Sequence, residues 1–362
     1  MHLSLLAGTR PNLIKIKSLL TALSAYPQVR TSWIHTGQHF SPAMSDLLLQ
    51  QLELPAPNHQ LNIHGGTANQ QLGALLPALE TCWTTDRPDK VVVVGDTTST
   101  LAGALAANKM DLPVAHVEAG LRSGDRRMPE EINRILTDGL SAELYVTEQA
   151  GLDNLAREGF APDRVFFSGN CMLDVLVRFR KKAAATKVLE KLHLQPRAYC
   201  LLTMHRPSNV DHPAGLEQVV RLIESAVRQT TVVFPVHPRT QLRLAQLGLQ
   251  ERLARLPDLH LLPPQGYLEF LRLLEHAALV FTDSGGVQEE ATFLQVPCLT
   301  FRHTTERPST VLLGTNVLLA SLEIEEAGTH LAMALRGDWK KGSIPPLWDG
   351  KAGDRIAAML VR

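Results

Sequence analysis

The sequence predicts an α/β protein built from two doubly wound parallel sheets. Short, continuously apolar stretches alternate with amphipathic helical stretches along the chain, which is the pattern of buried parallel strands joined by helices. Polar and glycine-containing turns follow the predicted strands, and a lysine-rich segment separates two such series. The length of 362 residues is sufficient for two domains of this kind.

Composition and charge limit the class of function. The chain has 36 Lys and Arg residues against 36 Asp and Glu residues, so it lacks the basic excess expected of a nucleic-acid-binding protein. Its four cysteines lie far apart and predict neither a disulfide framework nor a zinc site. The start of the sequence does not fit a signal peptide, and no apolar run has membrane-spanning length. We therefore expect a cytoplasmic enzyme that does not insert into a membrane.

The segment 91–138 carries the clearest functional pattern. Two apolar runs, 91–94 and 113–117, are followed by the carboxylates Asp96 and Glu118, and helix-forming residues lie between them. This is a β-α-β unit with an acid at the carboxyl end of each strand, which is the edge where open α/β sheets bind ligands.

A second acidic pair, Glu130 and Glu131, begins the next predicted helix. Each acid taken alone is equally typical of a helix cap or a helix amino terminus. Several acids in one unit, interleaved with His116, Arg122 and Arg134, instead favour a site for proton transfer.

The amino-terminal strand, 2–7, ends in a turn with Arg10, and the following helix contains Lys15. These cations can meet a phosphate at a helix start, although two solvated cations near a turn would look the same. Neither a dinucleotide-binding glycine fingerprint nor a P-loop is present. A second strand, 31–35, ends in a polar loop, 36–39, of the kind that lines a ligand crevice.

We place the domain boundary at Gly169-Asn170. Residues 1–170 then form the first domain and residues 171–349 the second, and a C-terminal helix within 350–362 returns to the first. The segment 181–196, which is rich in lysine, is expected to be weakly structured. The other elements predicted for the first domain are helices 42–52, 68–83 and 149–158, a loop 54–66, and strands 143–147 and 165–168.

The second series contains the clearest anion site. Its predicted strands are 199–203, 231–236, 259–262, 279–282 and 298–301. The fourth of them ends at Ser284, Gly285 and Gly286 and leads into a helix, so free backbone N–H groups and the positive helix end can bind a phosphate. Glu290, one turn further on, suits a pair of sugar hydroxyls. A Gly-Gly helix start can also serve close packing alone.

Polar loops of both domains are expected to face one cleft. This is the GT-B arrangement for nucleotide-sugars, with the nucleotide held by the C-terminal half. No Asp-x-Asp motif or His/carboxylate cluster has metal-ligand spacing, so neither a metal nor another cofactor is required.

A series of motifs occurs in a fixed order along the chain. They are Gly8-Thr9-Arg10-Pro11 with Lys15, Thr36-Gly37-Gln38-His39, Gly95-Asp96-Thr97-Thr98, His116-Val117-Glu118-Ala119-Gly120-Leu121-Arg122, Pro129-Glu130-Glu131 with Asn133-Arg134, His205-Arg206, His237-Pro238, Asp283-Ser284-Gly285-Gly286 with Glu289-Glu290, and Thr305-Glu306-Arg307-Pro308. With these motifs the whole chain resembles the non-hydrolysing UDP-N-acetylglucosamine 2-epimerases. The resemblance implies a GT-B homodimer that interconverts UDP-GlcNAc and UDP-ManNAc, an activity used in cell-surface polysaccharide biosynthesis.

The resemblance also implies roles for residues at the matching positions. The catalytic positions are Asp96, Glu118, Glu130 and His205. The UDP-sugar-binding positions are Arg10, Lys15, His237, Ser284, Gly285, Gly286 and Glu290. Bacterial members bind a second UDP-GlcNAc as an activator, and the motifs that contact it include Gln38, His39 and Arg206.

Departures from the family pattern leave alternatives open. Asn12 stands where a glutamate is common, and Arg126-Arg127-Met128 stands where many bacterial members carry an aromatic residue. The run 127–131 also resembles relatives that epimerise UDP-diacetamido-glucuronate, whose carboxylate a cation could pair with, whereas 305–308 favours the GlcNAc enzymes. The remaining alternatives are a hydrolysing epimerase that releases ManNAc, a GT-B glycosyltransferase, and a non-catalytic UDP-sugar sensor.

Overall fold

A computed structural model describes residues 1–38 and 42–362, and for residues 42–46 it describes the backbone alone. The chain divides into two compact units. The first unit comprises Met1–Arg178 and Pro346–Arg362, and the second comprises Phe179–Pro345. The division falls within a helix that begins at Cys171, just after the Gly169-Asn170 boundary chosen from the sequence.

The first unit contains a seven-stranded, fully parallel sheet. Its strands are β1 (His2–Ala7), β2 (Arg30–His35), β3 (His59–Gln60), β4 (Lys90–Val94), β5 (Val114–Ala119), β6 (Glu143–Val146) and β7 (Val165–Phe167). They are ordered β3-β2-β1-β4-β5-β6-β7. Because helices cover both faces, the central strands are buried on both sides, and Val91, Val92, Val93 and Val94 of β4 are all fully buried.

Eight helices and a 3₁₀ turn (Pro162–Arg164) connect or follow these strands in the described parts of the first unit. The helices are α1 (Arg10–Leu23), α2 (Pro42–Gln51), α3 (Ala68–Thr85), α4 (Thr98–Lys109), α5 (Pro129–Leu140), α6 (Gln149–Arg157), α7 (Cys171–Ala184) and the C-terminal α17 (Ala352–Leu360). Helix α17 packs against α1, and the half-buried carboxylate of Asp174 accepts hydrogen bonds from the Gly353 N–H at 2.6 Å and from Ser18 Oγ at 2.6 Å.

The second unit repeats the design with a six-stranded parallel sheet. Its strands are β8 (Tyr199–Thr203), β9 (Thr231–Pro235), β10 (Leu259–Leu262), β11 (Leu279–Thr282), β12 (Cys298–Phe301) and β13 (Asn316–Leu319), in the order β10-β9-β8-β11-β12-β13. Its helices are α8 (Val188–Lys191), α9 (Pro207–Val210), α10 (Pro213–Ala226), α11 (Pro238–Gln246), α12 (Gln250–Ala254), α13 (Tyr267–His276), α14 (Gly285–Leu294), α15 (Pro308–Leu312) and α16 (Ile324–Arg336). Separate apolar clusters cover the two faces of this sheet.

Both sheets reverse their winding between the first and fourth strands of their series. In the first unit this switch point lies between β1 and β4, and in the second it lies between β8 and β11. In open α/β sheets, the carboxyl ends of the strands at such a point form a crevice that binds ligands. The turns after these four strands are therefore the places where site residues are expected.

The structure corrects several local predictions. The edge strand β3 lies inside the segment predicted as a loop, and β13 was missed. The segment predicted as weakly structured is largely helical, because α7 continues to Ala184 and α8 follows. The α/β pattern of two parallel sheets is otherwise confirmed.

Candidate functional site

Asp96 lies directly beyond the carboxyl end of β4. Its carboxylate forms an ion pair with Arg134 on α5, whose side chain is fully buried. The Asn133 side-chain amide donates a hydrogen bond to the Asp96 carbonyl oxygen at 2.9 Å. Helix α5 therefore fixes both the backbone and the carboxylate of Asp96, while 23% of the side chain remains accessible.

Glu118 lies at a distortion near the end of β5. The pairing with β6 shifts register between Val117 and Ala119, and Glu118 itself has a φ of +77°. A left-handed backbone is unfavourable for a residue with a side chain, and such strain is concentrated at functional sites. The Glu118 carboxylate is 2% exposed and forms an ion pair with the buried Lys15 of α1. The bulge thus turns a carboxylate toward a cation on a neighbouring element.

The acidic pair at the start of α5 separates into two roles. Glu131 is buried, and its carboxylate accepts hydrogen bonds from the Ser123 N–H at 2.7 Å and the Gly124 N–H at 3.1 Å. Glu131 therefore shapes the loop before α5. Glu130 is only half-buried at the first turn of the helix, so it remains the candidate for chemistry.

Two side chains of the predicted site, His116 and Arg122, form a network with Asp138, for which the sequence predicts no role. His116, in β5, is fully buried, and its Nδ1 lies 2.7 Å from Oδ1 of Asp138. Arg122 Nη2 lies 2.7 Å from Oδ2 of the same carboxylate. Burial alone would raise the pKa of Asp138, but the hydrogen bond from His116 and the charges of both neighbours outweigh it and lower that pKa. Asp138 is therefore an ionised buried carboxylate.

The residues predicted around the amino-terminal turn are distributed along α1. Arg10 is its first residue, at the switch point, and is half-buried. Lys15, a predicted UDP-sugar-binding residue, forms an ion pair with Glu118. Asn12 links the ends of the two switch-point strands, since its Oδ1 accepts the Thr9 hydroxyl at 2.8 Å and its amide donates to the Val94 carbonyl at 2.9 Å. A glutamate at this position could not make the second bond.

Of the residues assigned to an activator site, Gln38 lies near the same sheet edge. Its side-chain oxygen accepts hydrogen bonds from the Ser99 N–H at 3.0 Å and the Ser99 hydroxyl at 2.8 Å, at the start of α4. His39 lies outside the described residues. Arg206, in the second unit, is the residue before α9 and is half-buried.

In the second unit, Asp283 organises the switch point. Its fully buried carboxylate accepts hydrogen bonds from the backbone N–H groups of His205 at 3.0 Å and Arg206 at 2.9 Å, and from the Asn209 amide at 3.1 Å. His205 Nδ1 lies 3.0 Å from the same carboxylate. Burial alone would raise the pKa of Asp283, but these hydrogen bonds lower it. Asp283 thereby fixes the backbone and the ring of His205. One-third of the His205 side chain remains exposed.

The predicted strand, Ser-Gly-Gly and helix sequence is present. Helix α14 begins at Gly285, and Ser284 is its half-buried N-cap residue. A Cβ atom on Gly285 would lie 2.9 Å from Nη1 of Arg307, so a side chain there would displace this guanidinium. The guanidinium is buried and its Nε lies 2.9 Å from the Glu289 carboxylate. The start of α14 therefore leaves no room for a side chain at position 285, and Gly286 is the next residue of the helix.

Two predicted UDP-sugar-binding residues of the second unit remain, Glu290 and His237. Glu290 is buried within α14. His237 is an exposed residue at the end of β9 and caps α11, since its Nδ1 accepts a hydrogen bond from the Arg239 N–H at 3.2 Å. Its ring lies 5.2 Å from that of His205, measured between centroids. The second unit thus brings His205 and His237 together.

Neither a metal cluster nor a membrane span is found in what the structure describes. Among residues 1–38 and 42–362, no group of three or more His, Cys, Asp or Glu side chains is placed to hold a metal ion. No helix within the described ranges is long and apolar enough to cross a bilayer.

Comparison with known proteins gives consistent matches. The sequence profile described as UDP-N-acetylglucosamine 2-epimerase matches residues 21–361. The UDP-N-acetylglucosamine 2-epimerase of Methanocaldococcus jannaschii is 40% identical over 368 aligned positions, which cover 99% of each protein. The UDP-2,3-diacetamido-2,3-dideoxy-D-glucuronate 2-epimerase of Pseudomonas aeruginosa is 39% identical and is covered, like this chain, over 100% of its length.

The structural similarity is equally extensive. The crystal structure of the M. jannaschii UDP-GlcNAc 2-epimerase in complex with UDP-GlcNAc and UDP has a TM-score of 0.91 and 41% identity, covering 100% of this chain and 99% of that one. The GT-B type of α/β fold predicted from the sequence is thereby confirmed.

Proposed function

Because the chain belongs to the UDP-N-acetylglucosamine 2-epimerase family, we propose that it is a non-hydrolysing 2-epimerase that interconverts UDP-GlcNAc and UDP-ManNAc. The observation that carries this proposal is the pair of carboxylates, Asp96 and Glu118, at the ends of adjacent strands. Each of them is aimed by an ion pair with a buried cation on a helix. Two carboxylates held in this way are suited to moving a proton.

The chemical difficulty is that no carbonyl group acidifies the C2 proton of the sugar. In the proposed reaction, the bond between C1 and the diphosphate oxygen breaks and its electron pair leaves with UDP. The positive charge that develops at C1 makes the C2 proton removable by a carboxylate, and the C–H electron pair forms the C1–C2 double bond of 2-acetamidoglucal. Delivery of a proton to the opposite face of C2 and return of UDP to C1 complete the epimerisation.

The roles divide between the units. Asp96, Glu118 and Glu130 are the proposed proton carriers. Two faces of C2 require two carriers, and a carboxylic acid and a carboxylate can act as a pair when their surroundings differ.

Binding and stabilisation of UDP is assigned chiefly to the second unit. The backbone N–H groups at the start of α14, with Ser284, Gly285 and Gly286, are proposed to bind the diphosphate, and His205 to stabilise it as it departs. Arg10 and His237 supply further donors, and Glu290 is proposed to accept hydroxyl groups of the ligand. Lys15 is likewise proposed to bind the UDP-sugar, beside the Glu118 carboxylate with which it forms an ion pair.

A second candidate substrate is UDP-2,3-diacetamido-2,3-dideoxy-D-glucuronate. The relative that acts on it matches the entire chain, and the run 127–131 resembles such relatives. The run 305–308, in contrast, resembles the enzymes that act on UDP-GlcNAc. We therefore place UDP-GlcNAc first.

The assembly and the cellular role are also proposed from the family. We propose a cytoplasmic homodimer that supplies UDP-ManNAc for cell-surface polysaccharides. Gln38, His39 and Arg206 are the proposed contacts of an activating UDP-GlcNAc.

Incubation with UDP-GlcNAc in D₂O, followed by NMR, tests the proposal. The expected products are UDP-ManNAc and deuterium at C2 of both UDP-sugars. Free ManNAc together with UDP would identify a hydrolysing enzyme, and turnover that needs an acceptor would identify a glycosyltransferase. Binding without C2 exchange would identify a sensor. Parallel incubation with the diacetamido-glucuronate substrate determines which sugar is turned over faster.

A further inference from the structure

A line of alternating charges runs behind the strand ends of the first unit. Nδ1 of His116 lies 2.7 Å from the Asp138 carboxylate. Nη2 of Arg122 lies 2.7 Å from the same carboxylate and 2.7 Å from the Glu158 carboxylate. On its other side, Nε2 of His116 lies 2.7 Å from the carbonyl oxygen of Gly95. His116 and Asp138 are completely buried, so the two contacts of His116 are shielded from solvent, whereas Glu158 lies at the surface.

Both ring nitrogens of His116 therefore face hydrogen-bond acceptors. A carbonyl oxygen cannot donate, and Asp138 is an ionised carboxylate held in that state by His116 and Arg122. A neutral imidazole carries one N–H group, so it would leave one nitrogen lone pair directed at an oxygen 2.7 Å away. Only the imidazolium form donates on both sides.

The two oxygens that His116 bonds belong to the turns that carry the proposed catalytic acids. The Gly95 carbonyl immediately precedes Asp96 in the chain. The Asp138 carboxylate also accepts the backbone N–H of Gly120 at 3.1 Å, two residues after Glu118. A single buried histidine–carboxylate pair thus connects the end of β4 with the end of β5.

From this arrangement we propose that His116 is a positioning residue that bonds both turns and thereby sets the spacing between Asp96 and Glu118. The inference rests on the proposed function, because it assigns His116 to the reaction for which those acids are proposed. His116 acts through the turns that its partners hold.

Helix α5 makes the connection rigid. Asp138 lies near its carboxyl end, and Asn133 and Arg134 lie in its middle. Asn133 holds the backbone of Asp96 and Arg134 holds its carboxylate, while Asp138 holds His116 and Gly120. Both turns are therefore tied to one helix, and loss of His116 removes the tie that joins them directly.

Steady-state kinetics of His116→Gln provides the first test. Glutamine can donate toward one of the two oxygens but not toward both. We expect kcat to fall about 100-fold, because a displacement of about 1 Å between reacting groups has an effect of this size. The KM for UDP-GlcNAc and the Kd for UDP should stay within about 3-fold, because the second unit is assigned to hold UDP. Asp138→Asn should show the same division between kcat and KM.

His2→Gln is the matched control. His2 is also buried and lies in the same sheet, but at the amino end of β1, where its Nε2 bonds Ser32 Oγ at 2.8 Å. This variant tests the general cost of replacing a buried, hydrogen-bonded histidine in this unit. Its kcat should remain within about 2-fold of the wild type. An equal loss of kcat in the His2 and His116 variants would overturn the positioning role.

A measurement on the wild type keeps the inference testable if the His116 variants fail to fold. In protein labelled with ¹⁵N at histidine, one residue should keep two ring N–H protons that exchange slowly, because both ring nitrogens of His116 face buried oxygen acceptors. Absence of a histidine with two protected N–H protons would overturn the proposal. If the wild type epimerised neither UDP-sugar, the proposed function would be overturned instead. The NMR measurement does not require activity, so the two failures can be distinguished.

Discussion

The two switch points share one topology and differ in how they use an aspartate. In each sheet the fourth strand of the series is followed by such a residue, Asp96 after β4 and Asp283 after β11. Asp96 is paired by Arg134 and remains 23% accessible. Asp283 is fully buried, and its carboxylate accepts hydrogen bonds from His205, Arg206 and Asn209, which follow β8.

This difference separates two kinds of chemistry on the same scaffold. The first unit compensates its carboxylates with cations from helices, Lys15 and Arg134, so charge is concentrated at the strand ends. In the second unit, the buried Asp283 carboxylate fixes His205, and the group proposed to bind the ligand is the amino terminus of α14. The first arrangement suits proton transfer, and the second suits binding of an anion.

The largest expected effect comes from removing the charge at the first switch point. Asp96→Asn and Glu118→Gln should each lower kcat at least roughly 1000-fold, since a positioned acid or base contributes about 10²- to 10⁴-fold. UDP affinity should stay nearly unchanged. Kinetics with UDP-GlcNAc and calorimetric titration with UDP measure the two quantities.

The matched control for these variants is Asp163→Asn, which neutralises an exposed carboxylate of the same unit in the 3₁₀ turn before β7. It should leave both quantities unchanged. Near-normal turnover in both Asp96→Asn and Glu118→Gln would remove the first unit from the chemistry and with it the contrast between the two switch points.

A smaller effect is expected at the second switch point. The Cβ atom of Gly285→Ala would lie 2.9 Å from the buried Arg307 guanidinium and would disturb the start of α14. Loss of a hydrogen bond to a charged ligand corresponds to about 2 kcal/mol, so we expect the Kd for UDP to rise roughly 30-fold. At saturating UDP-GlcNAc, kcat should fall much less than in the Asp96 variant.

Gly328→Ala controls for the substitution itself. Gly328 lies in α16 of the same unit, and a Cβ atom there would come no nearer than 3.3 Å to a side-chain nitrogen of Gln229. UDP affinity should be unchanged in this variant. A Gly285→Ala protein that binds UDP normally but has lost turnover would reverse the assignment of binding to the second unit.

The sequence predicted most strands and the polar turns that follow them, because buried parallel strands are largely apolar and their ends are marked by Gly, Asp and Glu. No prediction covered helix α16. Strand β3 escaped prediction because two residues give no periodic signal. Strand β13 begins with a polar residue, Asn316, whose amide is buried and bonds Thr310 at 3.0 Å. Local patterns could not show that such a residue is satisfied inside the protein.

The sequence also could not predict which side chains of different strands and helices contact one another. Lys15 has the spacing of a phosphate-binding cation after a glycine turn, but the bulge in β5 brings Glu118 to it. Glu130 and Glu131 are adjacent in sequence and differ in burial because the helix turns by about 100° between them. The bond from His116 to Asp138 joins residues 22 positions apart, which no motif signals.

The smallest expected effect concerns stability and pH at the second switch point. Because hydrogen bonds hold the pKa of Asp283 below its ordinary value, the ionised group adds stability above about pH 4. This contribution is lost as the pH falls through the folded-state pKa. Asp283→Asn should therefore lower the free energy of unfolding by about 1.5 kcal/mol at neutral pH, and the difference from the wild type should shrink on acidification.

Urea unfolding between about pH 3 and pH 7, with hydrogen exchange of β11 as the local probe, measures this difference. Asp211→Asn is the control, since Asp211 is partly exposed and pairs with Arg239 at 3.0 Å on the surface of the same unit. Exposed pairs contribute little, so its stability should follow the wild type at every pH. A difference between Asp283→Asn and wild type that stayed constant down to the lowest pH would mean that Asp283 acts through shape rather than charge. The two aspartates at the switch points would then differ less than their surroundings indicate.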